Sequence, residues 1–294
     1  MNKIPVLETI ASAYRFTFTN LGTIIGLSWV GLVLIAVLQF LPYAFGGDPF
    51  ATPENATAQG HRGLTNFAST LLMLLLYSII YVPVTQQALG LRKGPALWHF
   101  SLGMTEFRLF GAFVLFLLIM MAMIVGMGLL SLVLGGITLT MGKNAILALV
   151  FALIVLAALL GIIYAIVRLG YLIAPVTVVE NHVSLIRGWM LTAGNFWRIV
   201  AVLLGVLLPI YLLYLIGLIA IAGPQLFAPL PPETAQAQQA LMQRFAMIGR
   251  HMPGYLGLTL ILAPFSIGLA VSASAFGYRT LAAGAQPGAK PAAG

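Results

Sequence analysis

The chain of 294 residues contains no cysteine, and only 7% of its residues are charged. Without thiols there is no disulfide, no thiolate nucleophile and no cysteine-ligated metal. A soluble domain carries roughly a quarter charged residues, so the polar cover here is too thin for a globule dispersed in water. Acids are the scarcest group, with 6 Asp plus Glu against 14 Lys plus Arg and a net charge of +8. In a soluble protein that excess would suggest nucleic acid. Here 61% of the residues are apolar, and Lys and Arg have another use, fixing which loops stay in the cytoplasm. A water-soluble enzyme, a nucleic-acid-binding domain and a disordered chain are excluded.

What is abundant is long apolar runs. A membrane helix needs about 20 predominantly apolar residues. Six stretches qualify: Leu21–Phe45, Ala68–Leu89, Phe107–Ile137, Ala145–Pro175, Trp197–Phe227 and Tyr255–Leu281. The expected fold is therefore all-α, a polytopic bundle of six transmembrane helices forming one domain over residues 1–283. Pro83, Pro209 and Pro264 mark expected kinks, since proline removes a helix hydrogen bond. The start, with Lys3, Glu8 and Arg15 ahead of the first run, does not read as a cleavable signal. Residues 284–294 are Ala, Gly and Pro apart from Gln286 and Lys290, which reads as a disordered tail. Gly46–Asn66 reads as a polar loop, and Glu233–Arg250 as a short helix on the opposite surface from the termini.

Orientation follows from the basic residues. Ten lie on the side that holds both termini, among them Arg15, Arg92, Lys93, Arg108, Arg168, Arg187, Arg198 and Arg279. Four lie on the other side: Arg62, Lys143, Arg244 and Arg250. The positive-inside rule places both termini in the cytoplasm, and for a bacterial chain the membrane is the inner one. Trp98, Trp189 and Trp197 fall at the same boundary and serve as interfacial anchors.

Three segments resemble one another, each leading into an odd-numbered span: Leu7–Asn20, Ala96–Glu106 and Ser184–Asn195. Superposing Asn20, Glu106 and Asn195 also superposes Tyr14, Phe100 and Trp189. Leu7, Ile10, Tyr14 and Phe18 recur at helical spacing, as do Leu97, Phe100, Met104 and Phe107. Such helices are expected along the cytoplasmic interface, apolar face in lipid or against the bundle. The pattern suggests three helix-pair units, at residues 6–90, 93–178 and 181–283. The alternative is that any polytopic protein has basic amphipathic lead-ins to its spans.

Candidates for chemistry are few. Arg168 is the one charge well inside an expected span, near its cytoplasmic end. It is read as snorkelling to the interface, against the alternatives of contacting lipid phosphate or pairing with Glu180 or Glu106. His61, His99, His182 and His251 lack the short spacing of a metal motif, so neither a metal nor a cofactor is expected. Gly22, Gly26, Ser266, Ala270 and Ser274 form small-residue faces suited to close helix packing. Intramembrane Asp, Glu or His, which normally carry ion coupling and catalysis, are missing from the spans.

The stretch Arg168–Ile210, RLGYLIAPVTVVENHVSLIRGWMLTAGNFWRIVAVLLGVLLPI, resembles bacterial membrane proteins related to the membrane domain of glycerophosphodiester phosphodiesterase and to the similar YciC-like families. The positions that carry the resemblance are Arg168, Pro175, Val178, Val179, Glu180, Trp189, Asn195, Phe196, Trp197 and Arg198. It implies a stand-alone membrane domain without the soluble catalytic domain. The functional expectation is a non-enzymatic, lipid-interacting or accessory membrane protein. Arg15, Lys93, Arg108, Arg168, Arg187 and Arg198 would contact anionic headgroups or a protein partner. A transporter or channel for an apolar or lipidic substrate is the alternative, and a homo-oligomer is compatible with either. A reporter fused after Gly294 should be active in the cytoplasm; an external signal would reverse the orientation.

Overall fold

The computed structural model describes residues 2–44, 56–92, 94, 99–140, 145–231 and 234–283. Lys93, Trp98 and the tail 284–294 lie outside the described residues. Ten α-helices follow in order: α1 (Val6–Thr19), α2 (Leu21–Ala44), α3 (Ala56–Ala88), α4 (Met104–Thr140), α5 (Ala145–Gly170), α6 (Ile173–Glu180), α7 (Leu185–Leu191), α8 (Phe196–Ala222), α9 (Thr234–Arg250) and α10 (Met252–Ala283). Six segments are long and apolar enough to cross a membrane, drawn from α2, α3, α4, α5 with α6, α8 and α10. The protein is a multi-pass membrane helix bundle.

α10 is its centre. Half of the most apolar stretch of α10 is buried, 50%, against 6% for that of α4 and 0% for that of the fourth span, although α6 at its end is buried. The reason lies in its small residues. Gly268, Ser272, Ala273, Ser274, Ala275 and Gly277 leave room for neighbouring backbones to come close. α1 lies along the last half of α10 in an antiparallel sense. Asn2 Nδ2 donates to Thr280 O at 3.2 Å, Ser272 Oγ to Ala13 O at 3.4 Å, and the Phe18 and Phe265 rings are 6.2 Å apart. α1 also runs parallel to the start of α8, where Ile10 packs over Gly205 and Tyr14 Oη donates to Gly205 O at 3.2 Å.

The face of α1 that is buried is its small polar one, Thr9, Ala13 and Thr17. Of the apolar stripe, Ile10 and Tyr14 pack on the bundle, whereas Leu7 and Phe18 are 83% and 62% exposed. α1 thus seats against α8 and α10 through small residues and turns large apolar ones outward.

Three boundaries differ from the sequence reading. The second lead-in is irregular over His99–Gly103 and α4 starts only at Met104, while Ala96–Trp98 lie outside the described residues. Glu106 explains that start: its carboxylate accepts from Gly103 N at 3.0 Å and Ser101 Oγ at 3.4 Å, an N-terminal cap. The fourth span breaks at Tyr171–Leu172, and α6 follows. In a continuous helix Pro175 could donate no hydrogen bond to Tyr171. In the first turn of a new helix its missing N–H costs nothing. Ala56–Asn66, expected as loop, belongs to α3, whose polar start projects beyond the apolar stretch Gly63–Ala88. α9 forms over Thr234–Arg250, matching the expected short helix. Pro83, Pro209 and Pro264 sit within α3, α8 and α10.

Gly277 offers a test of this close packing. A Cβ there would lie 2.5 Å from the Tyr171 hydroxyl, which donates to Ala273 O at 2.7 Å. Gly277→Ala should destabilise the detergent-solubilised protein by about 1–3 kcal/mol, read as a lower Tm. Tyr171→Phe in that background should recover part of the loss, and additive losses would show that the contact is not limiting.

Candidate functional site

Two regions could carry function: the arginine-rich end of the bundle and a set of cavities in its middle.

At the arginine-rich end, most of the predicted contact residues are held by the protein itself. Arg168 ends α5 and is 6% exposed. Its Nη1 donates to Tyr164 Oη at 2.8 Å, its Nε to Thr192 Oγ1 at 3.3 Å, and its Nη2 to Trp189 O. The guanidinium lies 4.0 Å from the Trp189 ring centre and 5.3 Å from that of Tyr164. Planar stacking on indole favours Arg over Lys here. Arg168 therefore neither snorkels freely nor pairs with Glu180 or Glu106. It is enclosed in an aromatic cage that fastens α5 to α7.

Glu180 closes α6 and turns to other partners. Its Oε1 accepts from Arg187 Nε at 3.1 Å and from Tyr278 Oη at 3.3 Å. This joins α6, α7 and α10. Asn181, with φ 60°, ends α6 in the left-handed conformation, and its Oδ1 accepts from Arg108 of α4. Ser184 caps α7, accepting from Arg187 N at 3.2 Å.

Asn195 and Arg198 hold the N-terminal segment. Ile4 N donates to Asn195 Oδ1 at 3.1 Å, Asn195 Nδ2 donates to Asn2 O at 3.2 Å, and Arg198 Nη1 donates to Ile4 O at 2.9 Å. A short extended segment has no internal bonds for these backbone groups, so the two side chains replace water. In the sequence Asn195 stands out as a repeated position and as part of the resemblance, and neither reading points to this clamp. No local pattern signals it, because the partners are some 190 residues apart.

Arg15 is exposed on α1, and Trp197 is 79% exposed at the start of α8. Trp189 is half-buried over Arg168. Arg92 Nη1 approaches His99 Nδ1 at 3.2 Å. Burial and the Arg92 charge hold His99 below its usual range, with Glu106 opposing. Among the described residues no three His, Asp or Glu side chains are grouped to hold a metal ion.

The second region is apolar. A cavity of about 580 Å³ lies among α3, α4, α5, α6, α8 and α10, with Tyr81, Phe116, Leu203 and Ser274 in its wall. A neighbour of about 260 Å³ lies among α2, α3, α8 and α10. Others of about 430 and 440 Å³ flank them, between α8 and α10 and among α3, α4 and α6. The cavities share walls. Tyr81 lines three of the four, and so does Tyr211. Along α10 they extend from Tyr255 to Ser274, ~30 Å at helical rise. That is about the thickness of the hydrocarbon layer. Among the described residues no Asp, Glu, Lys, Arg or His lines these four cavities.

The chain matches no family model, no curated protein and no solved structure.

Arg168 offers a direct test of whether the cage or a headgroup contact governs the residue. Lys would preserve a charge for phosphate but not the stacked, three-way geometry. Arg168→Lys should destabilise by about 2–3 kcal/mol and shift the Trp189 fluorescence. Unchanged Tm and spectrum would refute the cage.

Proposed function

We propose that the protein is a non-enzymatic lipid-binding bundle of the bacterial cytoplasmic membrane, with both termini on the cytoplasmic side. It takes an apolar tail into the cavities between its helices and serves as an accessory to membrane partners or lipid traffic. The observation that carries this is the apolar cavity series along α8 and α10. Its individual volumes fall at or near the range of about 300–1,000 Å³ typical of small-ligand sites. In a bilayer, such space beside loosely enclosed helices is filled by lipid more readily than by water, which needs several polar partners.

The arginine-rich end supports a narrower headgroup role than the sequence suggested. Arg168 and Arg198 are engaged with protein groups. Arg15 and Arg279 are exposed, which leaves them for anionic headgroups or an acidic partner. The resemblance of Arg168–Ile210 to the phosphodiesterase membrane domain and YciC-like proteins supports a membrane role. The absence of charged side chains from the cavity walls argues against ion coupling.

The transporter reading draws on one specific observation: the cavities span ~30 Å along α10, the whole hydrocarbon depth. A lipidic substrate would need no charged path along it. Native mass spectra of the protein in nanodiscs decide whether lipid is bound at all. Wild type should carry stoichiometric lipid, and Ala270→Phe, which intrudes on two of the cavities, should carry less. A lipid-free particle, or equal occupancy in a folded Ala270→Phe variant, would overturn the proposal.

A further inference from the structure

α1 does not lie flat across the end of the bundle. Asn2 is tied to Thr280, and the Phe18 ring meets that of Phe265. α1 therefore follows α10 from Thr280 to Phe265, ~22 Å at helical rise. Between Arg250 and Arg279 the chain carries no Asp, Glu, Lys or Arg, and Phe265 falls at the midpoint of that run. The C-terminal end of α1 thus reaches the middle of a hydrocarbon layer ~30 Å thick. Ser272 donates to Ala13 O and fixes the register between the two ends. Arg15, one step past Ala13, then sits about 7 Å inside the edge of the hydrocarbon, and Glu8 close to that edge.

Both side chains face outward. Glu8 and Arg15 are exposed, with Ser12 half-buried between them. The spacing of i, i+4 and i+7 puts the three on one edge of α1. Among the described residues no hydrogen bond or ion pair engages Glu8 or Arg15. Their Cα atoms are ~10 Å apart along the axis, farther than the neighbours that pair directly on a helix. An unpaired guanidinium at this depth is costly, so Arg15 needs an anion from outside the chain. Long helical side chains lean toward the helix N-terminus, here the arginine-rich side, where lipid phosphates lie.

The order of the two charges describes the ligand. In a phospholipid standing in that leaflet the phosphate is the deeper group and a headgroup amine the outer one. Arg15 is the deeper residue and Glu8 the outer. Beyond Arg15, Phe18 is 62% exposed and offers apolar surface to the acyl chains. A headgroup with no amine would set its negative charge against Glu8, and a choline headgroup has no N–H to donate.

We infer that the outward edge of α1 binds an amine phospholipid of the phosphatidylethanolamine class, Arg15 donating to the phosphate and Glu8 accepting from the ammonium. This rests on the lipid-binding reading and names the headgroup that Arg15 takes.

The test uses the full chain in nanodiscs of equimolar phosphatidylethanolamine and phosphatidylcholine, with bound lipids counted and identified by native mass spectrometry. Wild type should retain one phosphatidylethanolamine with about tenfold preference over phosphatidylcholine, the size expected for one charge-assisted hydrogen bond. Glu8→Gln should remove the preference, and Arg15→Gln should lower the lipid count by one. Both variants should keep the wild-type Tm, because the two residues are exposed. Ala270→Phe intrudes on cavities that α1 does not line and should leave the preference intact. Equal retention of the two lipids by wild type, or a preference that survives Glu8→Gln, would overturn the inference while cavity binding stands. A dimer that Arg15→Gln takes apart, with no change in bound lipid, would overturn it in favour of a second copy. A preference lost in Glu8→Gln, with occupancy indifferent to Ala270→Phe, would uphold this site and overturn the cavity reading. A lipid-free wild type would overturn both.

Discussion

Close approach of helices to the small-residue half of α10 is the constraint on which the architecture depends. Lipid tails are as apolar as leucine, so helices in a membrane are held by packing and hydrogen bonds more than by exclusion of water. Gly268 admits Thr17 and Ile24, and Gly277 admits the ring of Tyr171. Gly205 does the same for Ile10 on α8, and Gly31 for Ile80 between α2 and α3. Backbones at these distances let serine and tyrosine hydroxyls reach carbonyls across helices, as Ser272 reaches Ala13 and Tyr171 reaches Ala273. α4 and α5 take little part in this and remain largely exposed along their apolar lengths, apolar on all sides as lipid-facing helices are.

The same packing sets where space is left. α10 draws α1, α2 and α8 closely to itself, while α4 and α5 join through α6 and the aromatic contacts around Phe113 and Phe116. Between these two arrangements lies the cavity of about 580 Å³. A bundle in which every pair packed through glycine would have no such interior. The tyrosines in the walls are too large and too polar to be treated as filler. Tyr81 and Tyr211 each stand in three of these walls.

The composition made the fold class legible, since length and apolarity are enough to find membrane helices. All six expected spans overlap the six segments suited to crossing a membrane. What it could not show was the partner of each side chain. Thr9, Ala13 and Thr17 look like the weak face of an amphipathic helix, yet they are the buried one, because α10 offers a small-residue surface, with Ser272 reaching Ala13 from 259 residues away. Arg168 looks like a snorkelling cation, yet α7 folds back to enclose it. Glu106 was aligned with two asparagines as a repeated position. In the structure it caps its own helix, whereas Asn195 binds a distant segment. Local patterns reveal local structure. What joins this bundle is contacts between residues far apart in sequence, which leave no local signature.

The seat of α1 also has a consequence for how the chain is made. α1 is synthesised well before its two principal supports, α8 and α10. The groups that hold Asn2 and Ile4 are Asn195, Arg198 and Thr280. Until the sixth span is inserted, α1 has nowhere to dock and must wait as an amphipathic helix at the membrane surface. Completion of the first helix is then the closing event of assembly. A chain arrested before α10 would display a free N-terminal segment, a mark by which quality control could tell an unfinished bundle from a finished one.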